Sequence, residues 1–212
     1  MLFDIHSHTT SGFDQKHTSI YNCIVGRDRV PDKFFSAGIH PWYIHNIEKQ
    51  YELLLSLVSS TNCLAIGECG IDKICNTPLL IQEKAFRLQC EIAKQLQKPI
   101  IIHAVKSHFD CMKIINEYQL KKVIFHGFNN RYTILEKISA NNFYFSFGNA
   151  LFNNRSHANA LIPKISLSQL FFETDESNIN IEMIYSKAAE LCNKNYNELV
   201  KIVELNYNRV FL

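Results

Sequence analysis

Short, nearly unbroken apolar runs recur near residues 2–6, 20–25, 35–39, 63–67, 99–103, 122–126, 143–147 and 169–174. Each has the length of a strand, and continuous rather than alternating apolar character is what a strand covered on both faces requires. Between the runs lie longer stretches with apolar residues at helical spacing. The clearest is 79–97, where Phe86, Cys90, Ala93 and Leu96 share one face while Lys84, Arg87, Glu91 and Lys94 lie elsewhere. Pro78 sits at its start and Pro99 just past its end, both positions that punctuate helices. Shorter stretches of the same kind cover 47–58, 108–118 and 131–140, and two more, 181–192 and 196–206, close the chain. Strand and helix in alternation predict an α/β fold with a parallel sheet, and eight strands are the number of a closed barrel. The stretch from His8 to Gly38 holds two strand-like runs and no helix-period segment, although parallel strands ordinarily need a helical crossover. The expectation is a (β/α)8 TIM-type barrel, distorted, with helices missing or shortened in the N-terminal third. No repeat, low-complexity tract or linker divides the chain, so residues 1–212 are read as one domain.

The chemistry sits where the runs stop. His6, His8, Glu68, His103, His126 and Asp175 each end an apolar run. In a parallel barrel the C-terminal strand ends share one mouth, so these residues are expected to converge. His6 and His8 are two apart and point to the same side of a strand. Each histidine alone is ambiguous, because imidazoles are often hydrogen-bonded core groups. The two carboxylates change the reading, since a buried carboxylate costs several kcal/mol unless it is paired, hydrogen-bonded or metal-bound. Imidazoles and carboxylates together suit one or two divalent cations, and open positions on such ions make a hydrolase.

The bulk properties narrow the setting. A chain of 212 residues can bury a large core, and no apolar stretch approaches a membrane span. The chain starts directly with a strand-like run, without a basic or signal-like segment, which predicts a cytoplasmic protein with no membrane partner. Seven scattered cysteines, odd in number and without a CxxC pair, predict free thiols in a reducing compartment rather than a disulfide framework. The net charge of +2 is too small to argue for nucleic acid by itself.

The segments Asp4-Ile5-His6-Ser7-His8, Gly38-Ile39-His40-Pro41, Gly67-Glu68-Cys69-Gly70-Ile71-Asp72, Pro99 to His103, His126-Gly127-Phe128 and Glu173-Thr174-Asp175 resemble, in order, the motif series of the TatD family of metal-dependent deoxyribonucleases. Further matches run from Gln82 through Phe86, Gln89 and Ala93 to Leu96, then Phe145 to Gly148, and Asn206 to Phe211. The resemblance implies an amidohydrolase-like barrel with two divalent metal ions, of which Zn, Mg and Mn are all permitted by this donor set. It implies that His6, His8 and Asp175 hold one ion, that His103 and His126 hold the other, and that Glu68 bridges them. His40 and Asp72 would stand behind these ligands and orient them or water. Asp175 and Glu68 would be catalytic, Asp175 accepting a proton from, or orienting, the attacking water.

Two departures bear on substrate. After His103 the family usually carries an Arg and an acid, whereas here Ala104, Val105 and Lys106 follow; Lys106 can act only as a point charge. After Asp175 the family's proline- and arginine-containing loop is replaced by Glu176-Ser177-Asn178-Ile179-Asn180. Lys106, Arg131 and Arg155, with Phe13, Trp42 and Phe128, remain as candidates for gripping a backbone and stacking bases. The expected activity is phosphodiester hydrolysis by a deoxyribonuclease acting on single-stranded DNA or strand ends, as a monomer. The alternatives are hydrolysis of a small phosphoester or an aminoacyl-tRNA ester, or a catalytically silent binding module.

Overall fold

All eight apolar runs form strands: β1 Leu2–Ser7, β2 His17–Ile24, β3 Phe35–Gly38, β4 Cys63–Asp72, β5 Ile100–Val105, β6 Val123–Phe125, β7 Tyr144–Phe147 and β8 Leu170–Phe172. The structure is a computed structural model that describes residues 1–9 and 17–212. Strands are hydrogen-bonded neighbours in chain order from β1 to β8. They alternate with helices α1 Ile47–Val58, α2 Leu79–Leu96, α3 His108–Tyr118, α4 Tyr132–Ser139, α5 His157–Leu161, α6 Ile181–Leu191 and α7 Tyr196–Phe211. This is the (β/α)8 TIM-type fold expected from the alternation. Residues 25–34, between β2 and β3, contain turns and bends but no helix, as the missing periodicity predicts. Phe13 lies outside the described residues.

Two features went unread in the sequence. Helix α5 and the 3-10 turns Asn149–Phe152, Ile162–Lys164 and Leu167–Gln169 are too short to leave a helical period. Helix α7 runs to Phe211, five residues beyond the expected 206. Leu96, expected on the buried face of α2, is 45% exposed because it falls in the last turn before the left-handed Gln97; Phe86, Cys90 and Ala93 are buried as predicted.

The chain divides into two compact units, Tyr21–Ile124 and Met1–Ile20 with Phe125–Leu212. In the first, β2, β3, β4 and β5 pair in parallel, with Gly70 opposite His103 and Asp72 opposite Val105. Gly70 has φ +144°, and a Cβ there would lie 2.1 Å from the His103 carbonyl oxygen, so only glycine lets β4 and β5 approach this closely. Helix α2 contributes two buried glutamines on one face, seven residues apart. Gln82 accepts from the Asp72 N–H at 2.7 Å and donates to the Asp72 carbonyl at 3.0 Å. Gln89 does the same for Ile39, at 2.7 and 3.1 Å. A glutamine amide matches a peptide group in donors and acceptors, so α2 clamps the backbone of two strand ends that leave the sheet.

In the second unit, β7 and β8 pair from Phe145–Leu170 to Phe147–Phe172. The core is aromatic: Phe128 packs edge-on to Phe145 at 4.8 Å, and Phe172 to Tyr185 at 4.5 Å. Tyr207 of α7 stacks on Phe3 at 4.1 Å, and Asn206 donates to the Leu167 and Leu170 carbonyls at 2.8 and 3.0 Å. The motif Asn206-Tyr207 therefore fastens the last helix to β1 and to the start of β8.

Candidate metal centre

In the unit built from both chain ends, His6 and His8 leave β1 beside Asp175. Backbone pairing sets this arrangement: the Asp175 N–H donates to the His6 carbonyl at 2.9 Å, and the His8 N–H to the Asp175 carbonyl at 3.1 Å. His8 Nε2 lies 3.4 Å and His6 Nε2 3.7 Å from Asp175 Oδ1. Asp175 has φ 52°, a left-handed conformation that Asp tolerates better than most residues and that turns the chain out of the strand. Behind it, the Thr174 N–H and hydroxyl donate to the two oxygens of Asp4 at 3.0 and 2.7 Å. Burial pushes the Asp4 carboxyl up to about 7, only partly offset by the Thr174 hydrogen bonds.

His126, Glu173 and Asp175 form a second group in this unit, offering one ligand atom each, all within 4.8 Å of one another. Glu173 is buried; its Oε1 accepts from the Gly127 N–H at 2.7 Å and lies 3.4 Å from His126 Nδ1. Burial raises its pKa, but the imidazoles of His126 and His6 outweigh that and hold it below the ordinary range. Sequence reading left Glu173 out of the ligand set. The available signal was its position two residues before Asp175 at the end of Leu170-Phe171-Phe172.

In the other unit, Glu68 and His103 stand on β4 and β5. His103 Nδ1 is 2.7 Å from Glu68 Oε1, and His103 Nε2 is 3.1 Å from Asp72 Oδ2. His40 Nε2 is 3.3 Å from the same Glu68 oxygen, while its Nδ1 accepts from the Trp42 N–H at 3.1 Å. Asp72 also accepts from the Trp42 indole at 2.6 Å and the Ile74 N–H at 2.8 Å. Burial would raise its pKa, but His103 and these donors hold it low. Burial pushes the His108 imidazole, at the start of α3, down to about 4, with the His103 charge adding to the effect.

Asn22 on β2, fully buried, is a residue sequence reading did not single out. Its Nδ2 donates to Glu68 Oε2 at 2.9 Å, and its Oδ1 accepts from the Glu68 N–H at 3.0 Å. An asparagine inside the apolar run Ile20 to Val25 was the available sign, because a buried amide needs partners.

Of the remaining expected residues, Lys106, Arg131 and Arg155 are exposed. Phe128 is 1% exposed and packs in the core, so it offers no face to a base; the turn at Gly127 carries it inward onto Phe145 and Phe147. Trp42 is 54% exposed.

The donor set fits a divalent cation. Glu68, His103 and His40 offer one ligand atom each, again within 4.8 Å of one another. A neutral imidazole can donate from one nitrogen only, yet both nitrogens of His103 face carboxylate oxygens, an arrangement completed by a proton or a cation. Among the described residues, the buried Glu173 Oε2 has no hydrogen-bond partner, a costly state that a cation relieves. A family model described as TatD related DNase matches residues 10–212. The chain belongs to the TatD related DNase family.

Its relatives within and around that family include an uncharacterised metal-dependent hydrolase of Buchnera aphidicola, 31% identical over 67% of this chain and 58% of the relative. The uncharacterised metal-dependent hydrolase YabD of Bacillus subtilis is 27% identical over 100% of this chain and 99% of its own length. A protein of Edwardsiella piscicida named 3'-5' ssDNA/RNA exonuclease TatD is 29% identical over 66% of this chain and 56% of itself. The matched stretch thus spans under three-fifths of the Buchnera and Edwardsiella proteins and nearly all of YabD. Among solved structures, a TatD-family hydrolase from Entamoeba histolytica aligns with TM-score 0.78 at 13% identity, covering 100% of this chain and 98% of that one. A TatD homologue from Escherichia coli aligns with TM-score 0.77 at 20% identity, covering 84% and 76%. These structures carry the fold alone. Two of these relatives are named metal-dependent hydrolases, and the His/Glu/Asp groups of this chain are of the kind that can hold a metal ion. Among the described residues, no helix is long and apolar enough to cross a membrane.

Proposed function

We propose that this chain hydrolyses phosphodiester bonds of nucleic acid, acting on single-stranded DNA or strand ends. The observation that carries the reading is that each unit presents imidazoles and carboxylates together at its strand ends. Divalent ions would be held by His6, His8, His126 and Asp175 in one unit and by Glu68 and His103 in the other. When bound, such ions supply a water of lowered pKa and charge against a phosphoryl oxygen. The chain's own residues do the rest. Asn22 and His40 hold Glu68 at both oxygens. The backbone pairing of β1 with the Thr174–Asp175 corner holds Asp175 beside His6 and His8, where it can orient a water or take its proton. Lys106, exposed just past β5 with φ 54°, supplies a point charge for a phosphate, and Arg131 and Arg155 are further exposed cations. Seven free thiols agree with a reducing compartment such as the cytoplasm.

The test is a panel of labelled single-stranded DNA, duplex DNA, RNA and small phosphoesters under Mg, Mn and Zn. The expected result is cleavage of short single strands ahead of duplex, with a shallow salt dependence because few cations face the phosphates, and a Lys106→Ala variant weakened more in binding than in turnover. A second reading rests on the replaced loop: Glu176 to Asn180 brings no cation where the family carries arginine. Rapid turnover of a small phosphoester or an aminoacyl-tRNA ester, with no DNA cleaved under any metal, would establish that reading instead.

A further inference from the structure

The chain has one tryptophan, exposed but hydrogen-bonded through its indole. Trp42 follows His40-Pro41 on the 3-10 turn Pro41–Tyr43, with 54% of its surface in water. Its indole N–H donates to Asp72 Oδ2 at 2.6 Å, the same oxygen that lies 3.1 Å from His103 Nε2. Its ring centre is 6.1 Å from the His103 ring and 5.5 Å from the His40 ring, both edge-on, at 78° and 83°. Donating to Asp72 explains the N–H but not the large exposed face, because Asp72 already receives the Ile74 amide and any small donor would serve. Leaving a broad apolar ring in water is unfavourable. Fixing it there in advance removes the ordering cost that a partner would otherwise meet.

We propose that Trp42 is the stacking platform for the nucleobase of the nucleotide whose phosphodiester meets Glu68 and His103. The inference rests on the nucleic-acid reading above and adds the residue that recognises the base. A flat π-surface held beside the ligand group accepts any base, since every base has a π-face; it gives preference for unpaired over paired nucleotides without sequence readout. In a duplex the base faces are covered by stacking, so this platform favours a frayed or single-stranded end.

Because Trp42 is the only tryptophan among nine tyrosines, fluorescence excited at the red edge of indole absorption, where tyrosine absorbs little, reports on it alone. Wild-type protein with the metal that supports turnover is mixed in stopped flow with a short thymidine oligonucleotide, or with the same oligonucleotide carrying abasic residues at both ends. Anisotropy of a labelled copy measures binding independently. The expected result is rapid quenching by the intact strand and little by the abasic-ended one. In parallel, the ratio of kcat/KM for intact over abasic-ended strands should be about tenfold in the wild type, the scale of one base–aromatic stack. Trp42→Ala should bring that ratio close to one, mainly through KM, and Trp42→Phe should restore part of it. Since Trp42→Ala also removes a hydrogen bond to Asp72, thermal unfolding checks its fold, and the phenylalanine variant, which lacks that bond too but keeps a ring, separates stacking from support of Asp72. Unchanged fluorescence on a strand that binds and is cleaved, with the same ratio in all three proteins, would overturn the platform and leave the nuclease reading intact. Absence of DNA cleavage with phosphoester turnover would overturn both.

Discussion

Asn22→Ala removes a side chain that touches nothing of the substrate, yet it should weaken metal binding. Asn22 Nδ2 donates to the charged Glu68 oxygen at 2.9 Å, and Asn22 Oδ1 receives the Glu68 N–H at 3.0 Å. A hydrogen bond to a charged group contributes about 1.5–3 kcal/mol. A buried amide left without an acceptor costs about 1–3 kcal/mol. The expected loss of stability in chelator is therefore about 2.5–6 kcal/mol, read by urea unfolding. Freed from Asn22, the Glu68 carboxylate can turn away from the ligand group, and loss of such an orienting partner typically weakens metal affinity about 10–100-fold. Calorimetric titration with Mn measures that loss. Asn22→Asp keeps the acceptor for the Glu68 amide but sets an oxygen where the donor was, against Glu68 Oε2, and should lose at least as much affinity. In a Glu68→Ala background, Asn22→Ala should change metal affinity little, because the group it positions is gone. Destabilisation without any change in Mn affinity would refute the positioning argument, and an unchanged unfolding midpoint would refute the hydrogen-bond argument as well.

Other consequences are as direct. The folded His108 imidazole sits at about 4 against an unfolded value of 6.5, so the unfolded chain binds the extra proton between those values. Stability should therefore fall as pH drops from 6.5 toward 4, by up to about 3 kcal/mol, and His108→Gln should flatten that limb of the unfolding profile; a parallel profile would refute it. Asp175→Asn should lower phosphodiester turnover by about a hundredfold or more with the fold intact, and wild-type rates at verified metal content would contradict its role. Tyr185, fully buried, donates to the Phe3 carbonyl at 3.0 Å and accepts the Phe3 N–H at 3.1 Å. Tyr185→Phe orphans both groups and should cost about 2–4 kcal/mol by denaturant unfolding; a loss under 1 kcal/mol would show that the backbone finds other partners.

The strands and most helices were legible because their signals are local. Continuous apolar runs marked β1 to β8, and Pro78 and Pro99 bracketed α2. The six candidate ligands were noticeable because a polar residue at the end of such a run stands out. What stayed hidden depends on partners distant in sequence. Asn22 looks like one polar interruption in a strand until Glu68, 46 residues later, is placed beside it. Glu173 stayed out of the ligand set because its pairing with His126 is set by folding, not by spacing. Gln82 and Gln89 gave a motif without a reason, and the reason is that each replaces a neighbouring strand at a chain segment leaving the sheet. Phe128 misled because an aromatic after a strand end can face either way, and the turn at Gly127 sends it inward.

The central claim is that these side chains hold catalytic cations, and metal stoichiometry tests it most directly. Wild-type, His6→Ala and His103→Ala proteins, loaded near neutral pH and freed of excess ion, are analysed for bound metal per chain. The account predicts two ions in the wild type and fewer in each variant, because the two histidines belong to different ligand groups. Wild-type protein that binds no divalent ion under these conditions would contradict it.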